Sequence, residues 1–342
     1  MTGTASTDAA PGRAPFLTVD DLEVRIEAGG GGGLAVAGVS FALYPGEILA
    51  LVGESGCGKS MTALAVMRLL PSPPARITRG TIRIEGTDVL GLGRRDLEDL
   101  RGRRIGMIFQ EPMTSLNPVL SIGRQMSEGL RRHLRLGRAA VLARAEAALH
   151  DVGIVDPRRV MQQFPHQLSG GMRQRVMIAA ALSLEPGVLI ADEPTTALDV
   201  TVQAQVLDLL AGLRDQHGSG VLLITHDLGV VAETADRVAV MYAGHIVEAA
   251  PVAVALQAPA HPYTQGLIAC HLEVTPTARP VGTVPPLLET IPGVVPPLHA
   301  RPDGCPFRDR CRRAIDRCAQ EMPPLASVGS NHAVACWKPF HD

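Results

Sequence analysis

The 342-residue sequence contains few aromatic side chains: one Trp, three Tyr and six Phe, or 3% of the chain. Proteins that bind single-stranded nucleic acid stack bases on aromatic rings, so this scarcity argues against such a function. The formal net charge of −2 also provides no overall attraction to a polyanion. We therefore expect no nucleic-acid partner for this protein.

Long hydrophobic runs and an export signal are also missing. No run of about eighteen apolar residues occurs, so the sequence predicts no membrane-spanning helix. Residues 1–15 lack the basic start and apolar stretch of a signal peptide, and we predict a disordered lead-in there. Six cysteines without an export signal favour a reducing compartment, in which metal binding is more frequent than disulfide formation.

The most informative stretch is the glycine-rich segment 53–60, which fits the pattern G-x-x-x-x-G-K-[ST]. An apolar run of strand length, 47–52, precedes it, and a helical pattern, 60–70, follows it. This arrangement presents backbone N–H groups and a helix N-terminus to an anion. We predict a nucleotide site in which Lys59 reaches the β- and γ-phosphates and the Ser60 hydroxyl binds Mg²⁺. Its predicted residues are Gly53, Glu54, Ser55, Gly56, Cys57, Gly58, Lys59, Ser60 and Met61.

Alternating strand and helix patterns predict the rest of the core, 16–250. Residues 16–26 alternate apolar and polar positions, as half-buried strands do, and 34–43 give a second strand pattern. Shorter apolar runs at 105–109, 188–191 and 221–224 predict buried strands. Helical patterns lie between these runs. The alternation favours an α/β core whose sheet carries helices on both faces.

Two segments depart from this alternation. Residues 113–175 include an Ala-, Arg- and Leu-rich stretch with helical spacing, and we predict a helical subdomain there. Basic residues such as Arg131 and Arg132 form either a solvated face or a contact to lipid head groups or a partner loop. Residues 251–342, hereafter the tail, are rich in Pro, Ala and Cys and predict a loosely structured extension that does not continue the sheet.

Acidic residues follow one of the predicted buried strands. Asp192 at such a strand end can hold Mg²⁺, and Glu193 can polarise an attacking water, although paired acids there are often purely structural. Further upstream, residues 169–171 read Ser-Gly-Gly at a helix start. This tripeptide either exposes N–H groups to an anion or is an ordinary N-cap.

Taken in order along the chain, these motifs resemble the ATP-binding subunits of ABC transporters. Gln110 matches the Q-loop glutamine of that family, Asp199 lies in its D-loop, and His226 matches its switch histidine. The signature motif comprises Leu168, Ser169, Gly170, Gly171, Met172, Arg173 and Gln174. The resemblance implies the P-loop NTPase fold of ABC ATPases, with a mixed sheet and helices, an antiparallel β subdomain and a helical subdomain.

The resemblance also implies how two ATPase domains share their nucleotides. The domains pair head-to-tail, so that Ser169 and Gly171 would contact the γ-phosphate of ATP held by the partner chain. Glu193 would act as general base for ATP hydrolysis, and His226 would contact the γ-phosphate and orient Glu193. Because phosphoryl transfer needs positioned charge and an oriented water, these roles agree with its chemistry.

The metal role in this family is shared among three side chains. Mg²⁺ would be held by Ser60, Gln110 and Asp192, and Gln110 would also sense the attacking water and relay the nucleotide state to membrane subunits. One feature departs from the family, which stacks adenine on an aromatic ring near the end of the first strand. Ile26 lies about there instead, and we expect its apolar contact to give less stacking energy than a ring.

The tail resembles that of ATPases serving dipeptide, oligopeptide and nickel importers, through the motifs at 261–267, 291–298 and 304–307. Its cysteines lack the close pairs of zinc ribbons. Four thiolates can instead hold a [4Fe–4S] cluster, as the resemblance implies, with zinc and free thiols as alternatives. Nearby arginines, 308–317, are expected to depress the thiol pKa values. The four cysteines are Cys305, Cys311, Cys318 and Cys336.

The resemblance thus implies an ATPase that powers import of di- or oligopeptides as a peripheral subunit on the cytoplasmic face of the inner membrane. Its partners would be a second, related ATPase, two transmembrane permease subunits and an extracytoplasmic solute-binding protein. Nickel, glutathione or another small solute is an alternative cargo.

Two other classes of protein fit the sequence less well. A soluble ATPase of DNA repair or translation would usually carry tandem ATPase domains or a long coiled coil, and neither is present. An iron–sulfur module that ATP only regulates would not need both Glu193 and His226.

Overall fold

The computed structural model describes residues 13–27, 31–111, 115–195, 200–272 and 290–340. The strands are β1 (Leu17–Ile26), β2 (Gly33–Leu43), β3 (Ile48–Val52), β4 (Ala75–Ile84), β5 (Thr87–Asp88), β6 (Ile105–Ile108), β7 (Val188–Asp192), β8 (Gly220–Thr225), β9 (Arg237–Tyr242), β10 (His245–Pro251), β11 (Ala326–Gly329) and β12 (His332–Val334). The helices are α1 (Lys59–Val66), α2 (Arg94–Leu100), α3 (Ile122–His133), α4 (Arg138–Asp151), α5 (Pro157–Gln162), α6 (Gly170–Leu182), α7 (Val200–His217), α8 (Leu228–Thr234), α9 (Val252–Gln257), α10 (Pro262–Leu272) and α11 (Arg317–Gln320). Single 3₁₀ turns occupy Pro165–Gln167, Leu298–Ala300 and Arg308–Arg310.

The larger of two sheets has the strand order β11-β12-β10-β9-β3-β8-β7-β6. Strands β6, β7, β8, β3 and β9 run parallel, and every residue of β3, β7 and β8 is buried. This burial explains why these strands read as continuous apolar runs without alternation. Because carboxyl ends of parallel strands meet at one edge, the residues that follow β3, β7 and β8 are gathered there.

A smaller antiparallel sheet, with the order β2-β1-β4-β5, packs beside the first. Strand β1 shows the alternation expected of a half-buried strand: Leu17, Val19, Leu22 and Val24 are all fully buried. The predicted antiparallel subdomain is therefore present. Helix α1, which packs against this sheet, ends at Val66, earlier than the predicted 60–70.

Helices α3, α4 and α5 lie together between β6 and the signature segment, in the region predicted to be helical. Their apolar faces bury Met126, Leu130, Val141 and Leu149 in a common core. The exposed Arg132 of α3 pairs with Asp99 of α2, N to O 2.8 Å, so part of the basic face is engaged within the chain. Among the described helices, none has the length and apolar character that a membrane span would need.

Two strands in the described part of the tail, 251–272 and 290–340, continue the main sheet, contrary to the sequence expectation. Strand β12 pairs antiparallel with β10, and β11 pairs with β12 through a turn in which Asn331 has a φ of 56°. These strands have only three and four residues, too short for an apolar alternation to be read from the sequence. Their pairing covers the edge of β10 that would otherwise expose unpaired backbone groups.

A buried carboxylate attaches the start of the tail to β10. Glu248 has no exposed surface, and its two oxygens accept hydrogen bonds from the backbone N–H of Ala260 (2.8 Å) and of His261 (2.9 Å). His332 of β12 places its Nε2 2.7 Å from the same carboxylate. Since a buried charge is tolerated only when it is fully hydrogen-bonded, this network orders three separate segments around one side chain.

Aromatic rings complete the tail's core. Tyr242 of β9, Tyr263 of α10 and Phe307 pack edge-on or tilted, with ring centroids 4.7 to 5.4 Å apart. Such geometry suits the quadrupoles of the rings and adds stabilisation to the area they bury. The tail is therefore packed on the sheet through its own hydrophobic core.

A buried histidine, His261, and a half-buried one, His245, predict that stability falls in acid. Burial lowers the pKa of His245 from 6.5 to about 4 and that of His261 from 6.5 to about 3. Between about pH 6.5 and pH 4 the unfolded chain therefore binds more protons, so the free energy of unfolding decreases as pH falls. The decrease is up to about 1.4 kcal/mol per pH unit for each histidine.

Urea denaturation at several pH values measures this dependence. In the variants His245→Gln and His261→Gln, the free energy of unfolding should change less steeply with pH than it does in the wild type. His150→Gln, at a side chain that is 80% exposed, serves as the control and should keep the wild-type slope. Equal slopes for all four proteins would contradict the assignment.

Candidate nucleotide-binding and hydrolysis site

The phosphate loop follows β3 and ends where α1 begins, as the sequence indicated. Gly58 occupies the N-cap of α1 with a φ of 111°, a conformation that L side chains rarely adopt. A Cβ at this position would also lie 2.6 Å from the carbonyl oxygen of Ala35. Glycine is therefore required here both for the turn and for the close approach of strand β2.

Lys59 is held at the centre of the loop by the loop's own backbone. Its ammonium donates to the carbonyl oxygens of Gly53 (2.7 Å) and Glu54 (3.1 Å), and the residue is only 6% exposed. The Cys57 sulfur lies 3.8 Å away, and burial raises the pKa of that thiol, so it stays neutral beside the cation. The loop thus concentrates positive charge at the position expected for a bound phosphate.

The predicted magnesium residues are only partly brought together. Ser60 Oγ donates to Asp192 Oδ1 at 3.1 Å, and Asp192, 3% exposed, has its pKa raised mainly by burial. Gln110 instead directs its amide to Glu193. Within the described ranges, no group of three or more His, Cys, Asp or Glu side chains is placed to hold a metal ion. Mg²⁺ at phosphate sites typically takes one or two carboxylates and relies otherwise on phosphates and water, which a Ser60–Asp192 pair suits.

Glu193 is the point on which distant residues converge. Its Oε2 accepts from the Gln110 amide at 3.0 Å, and its Oε1 lies 3.4 Å from His226 Nδ1. The residue has a φ of 47°, which is uncommon for a side-chain-bearing residue, and its N–H donates to the Ile224 carbonyl at 2.9 Å. The structure therefore holds this carboxylate in one orientation from two sides.

The signature segment presents an open helix N-terminus. Ser169 caps α6 by accepting from the Met172 N–H at 3.3 Å, and it is exposed, as is Gly170. A Cβ built at Gly170 or Gly171 would meet no atom within 4 Å. The space in front of these N–H groups is therefore free for a ligand.

The other signature residues tie this helix to the rest of the chain. Leu168 is buried in the helical core, Arg173 Nε donates to the Pro165 carbonyl at 2.6 Å, and the Gln174 amide donates to the carbonyl of Pro194. Asp199, predicted to lie in the D-loop, is outside the described residues.

A cavity of about 490 Å³ lies over the phosphate loop, within the usual range for small-molecule sites. No signature residue is found in its described lining. Residues predicted for the site that line this cavity are Ile26, Ser55, Gly56, Gly58, Lys59, Ser60, Met61, Gln110 and Glu193.

The tail forms hydrogen bonds with the phosphate loop, and these contacts were not predicted from the sequence. Arg310 forms two hydrogen bonds with the Glu54 carboxylate, 2.9 and 3.0 Å, and its side chain is 7% exposed. The Tyr263 hydroxyl accepts from the Glu54 backbone N–H at 2.9 Å, so this N–H does not face a phosphate here. The only sequence signals were a tyrosine in the segment 261–267 and an arginine among the tail cysteines.

Three of the tail thiols do not have the lowered pKa values expected from the sequence. The pKa of Cys305 is raised to about 11, mainly by burial and also by the charges of the other three tail cysteines. Burial is also the main cause of the raised pKa values of Cys311 and Cys336, where Arg313 has only a lesser, lowering effect. The prediction was wrong because it counted neighbouring arginines and could not take account of burial.

The fold and the convergence of Gln110, Glu193 and His226 beside a phosphate loop define an ABC-type ATPase. Residues 36–196 match the family model for the ABC transporter domain. Residues 247–318 match a second model, the C-terminal region of oligopeptide/dipeptide transporters. The chain belongs to the family of ATP-binding subunits of oligopeptide and dipeptide ABC transporters.

Curated relatives match over most of their length. The "Probable peptide ABC transporter ATP-binding protein" of Sinorhizobium fredii is 49% identical over 94% of this chain and 95% of its own. The oligopeptide transport ATP-binding protein OppD of Bacillus subtilis is 47% identical over 94% of this chain and 88% of its own. A dimeric ATP-binding cassette solved in a post-hydrolysis state with ADP and phosphate has a TM-score of 0.63 at 26% identity. That alignment covers 69% of this chain and 98% of the cassette.

The contact between the tail and the phosphate loop predicts that Arg310→Gln weakens ATP binding. The change leaves the Glu54 carboxylate without its charged partner, and hydrogen bonds to charged groups contribute about 1.5–3 kcal/mol, so we expect affinity to fall about tenfold or more. Titration with a fluorescent ATP analogue measures the dissociation constant. Arg312→Gln, at an exposed neighbour, is the matched control and should bind as the wild type does.

A double-mutant cycle tests whether the effect passes through the ion pair. Glu54→Gln alone should weaken binding by a similar factor, and the double variant should be no weaker than either single variant. Additive losses would show that Arg310 acts on ATP binding by another route.

Proposed function

We propose that this protein hydrolyses ATP to power the import of di- or oligopeptides through an ABC transporter. The observation that carries the hydrolytic part is the convergence of Gln110 and His226 on the Glu193 carboxylate, next to the Ser60–Asp192 pair. The peptide part is supported by the match of residues 247–318 to the oligopeptide/dipeptide C-terminal region. The relatives' names agree with that cargo, and nickel or glutathione is not favoured.

Hydrolysis would use the side chains of Lys59, Glu193, Gln110 and His226. To bind the triphosphate, the Lys59 ammonium exchanges its two backbone carbonyl partners for phosphate oxygens. Glu193 accepts the proton of the attacking water, while the Gln110 amide and His226 hold its carboxylate in place. Ser60 and Asp192 would hold Mg²⁺, which would supply positive charge to the phosphates.

The partner of the nucleotide site would be a second ATPase chain. The open N-terminus of α6 at Ser169 and Gly170 lies outside the cavity of its own phosphate loop, so it would complete the site of the opposite chain. We propose a related ATPase in that place, with two permease subunits and an extracytoplasmic binding protein completing the transporter. The chain would then act as a peripheral subunit at the cytoplasmic face of the membrane.

The finer proposal for the tail is that its four cysteines hold a [4Fe–4S] cluster, with zinc as the alternative. Support comes from the packing of the thiols: Cys305 and Cys318 are buried in one cluster, and Cys311 packs against it. The N–H of Cys305 also donates to the Cys318 carbonyl at 2.8 Å. In such a cluster each thiolate binds its own iron, so the sulfurs need not surround a single ion.

Glu193→Gln should bind ATP but lose most of its turnover, by about 10²- to 10⁴-fold, because the amide cannot accept the proton of water. The ATP-loaded variant should accumulate as a closed pair of ATPase chains. Phosphate release and the mass of the ATP-bound species measure the two effects. Glu233→Gln, an exposed acid on α8, is the control. Wild-type turnover in the Glu193 variant would refute its role as general base.

Metal analysis of protein purified without oxygen tests the cluster. We expect about four irons and four sulfides per chain and a broad absorbance near ~400 nm, both lost in Cys311→Ser and kept in Cys270→Ser. One zinc without iron, or no metal at all, would contradict the iron–sulfur proposal while leaving the ATPase proposal intact.

A further inference from the structure

The cavity over the phosphate loop is lined partly by the tail. Residues 295–298, which read Val-Pro-Pro-Leu, and Arg301 line it together with Ile26 and Ala35 of the antiparallel sheet. We propose that residues 295–298, hereafter the tail wall, pack against the base of the bound nucleotide and take the place of the missing aromatic ring. This inference rests on the proposed ATP-binding function and concerns a different part of the nucleotide.

The chemistry of the tail wall suits a base and not a phosphate. Its side chains are wholly apolar and offer no side-chain donor to an anion, whereas Lys59 and Ser60 provide that chemistry elsewhere in the same cavity. Val295 and Leu298 are only partly buried by the protein, so they keep apolar surface that a ligand can cover. An apolar ring face is the complementary surface for such a wall.

Ile26 fixes which part of the nucleotide meets the tail wall. It is the last residue of β1 and lines the same cavity as residues 295–298. None of the described residues that line this cavity is aromatic, so these residues offer the base no ring to stack on. Apolar contact from Ile26 and from the tail wall is what the described cavity offers instead.

The tail wall is held against the sheet by direct backbone approach. A Cβ at Gly33 would lie 2.5 Å from the Leu298 carbonyl oxygen and 2.9 Å from Leu298 Cγ. Arg301 donates a hydrogen bond to the Leu34 carbonyl, which secures the far end of the 3₁₀ turn Leu298–Ala300. The two prolines restrict the backbone immediately before Leu298, so little conformational entropy remains to be lost there when a ligand binds.

Two variants of the full chain test the tail wall, with ATP and inorganic triphosphate as probes. Leu298→Ala removes apolar surface from the wall, and Gly33→Ala pushes the turn away from β2. We expect each to weaken ATP binding about tenfold, from the loss of apolar contact, and to leave triphosphate binding unchanged because that probe has no base. Retained triphosphate binding also shows that the phosphate loop is still folded.

Matched controls lie close by. Val294→Ala changes the adjacent residue, which is 81% exposed and does not line the cavity, and Gly137→Ala places a Cβ in open space at another helix cap. Both should bind ATP as the wild type does. Unchanged ATP binding in Leu298→Ala, or an equal loss of affinity for ATP and triphosphate, would contradict the proposal that the tail wall packs against the base. A wild-type chain that binds neither probe would instead refute the proposed ATP-binding function.

Discussion

Parallel pairing of β3 with β8 and of β8 with β7 is the constraint on which the site depends. It brings the phosphate loop, the pair Asp192–Glu193 and His226 to one edge of the sheet, although Ser60 and Asp192 lie 132 positions apart in the sequence. Hydrogen bonds across that edge, Ser60 to Asp192 and Gln110 to Glu193, then set the side-chain geometry. A loss of register between these strands would misplace all of these groups together.

The tail adds a second constraint to the same loop. Glu248 attaches the tail to β10, and Arg310 and Tyr263 then hold Glu54 by its carboxylate and its N–H. Sheet, tail and phosphate loop form one connected polar network, so the position of the loop depends on packing more than 200 residues away in sequence. In structural terms, the tail is part of the nucleotide site.

What the sequence could predict was local. The strand, glycine loop and helix around Lys59 are contiguous, so their residues could be read directly, and the buried strands were found because they are continuous apolar runs. The Arg310–Glu54 pair spans 256 residues and leaves no periodic signal. The tail strands were missed because they are short, and the thiol pKa values because burial outweighs nearby charge.

The placement of the aromatic residues connects the packing of the tail with the lining of the nucleotide cavity. The chain has ten Phe, Tyr and Trp residues in all, and three of them, Tyr242, Tyr263 and Phe307, pack together where the tail meets the sheet. The described cavity lining over the phosphate loop has none. Contacts among these aromatic rings therefore stabilise the packing of the tail on the sheet. The packed tail in turn places Pro296, Pro297 and Leu298 at the nucleotide cavity. A base-binding surface made in this way exists only while the tail is docked, which makes docking of the tail and affinity for the nucleoside two aspects of one equilibrium.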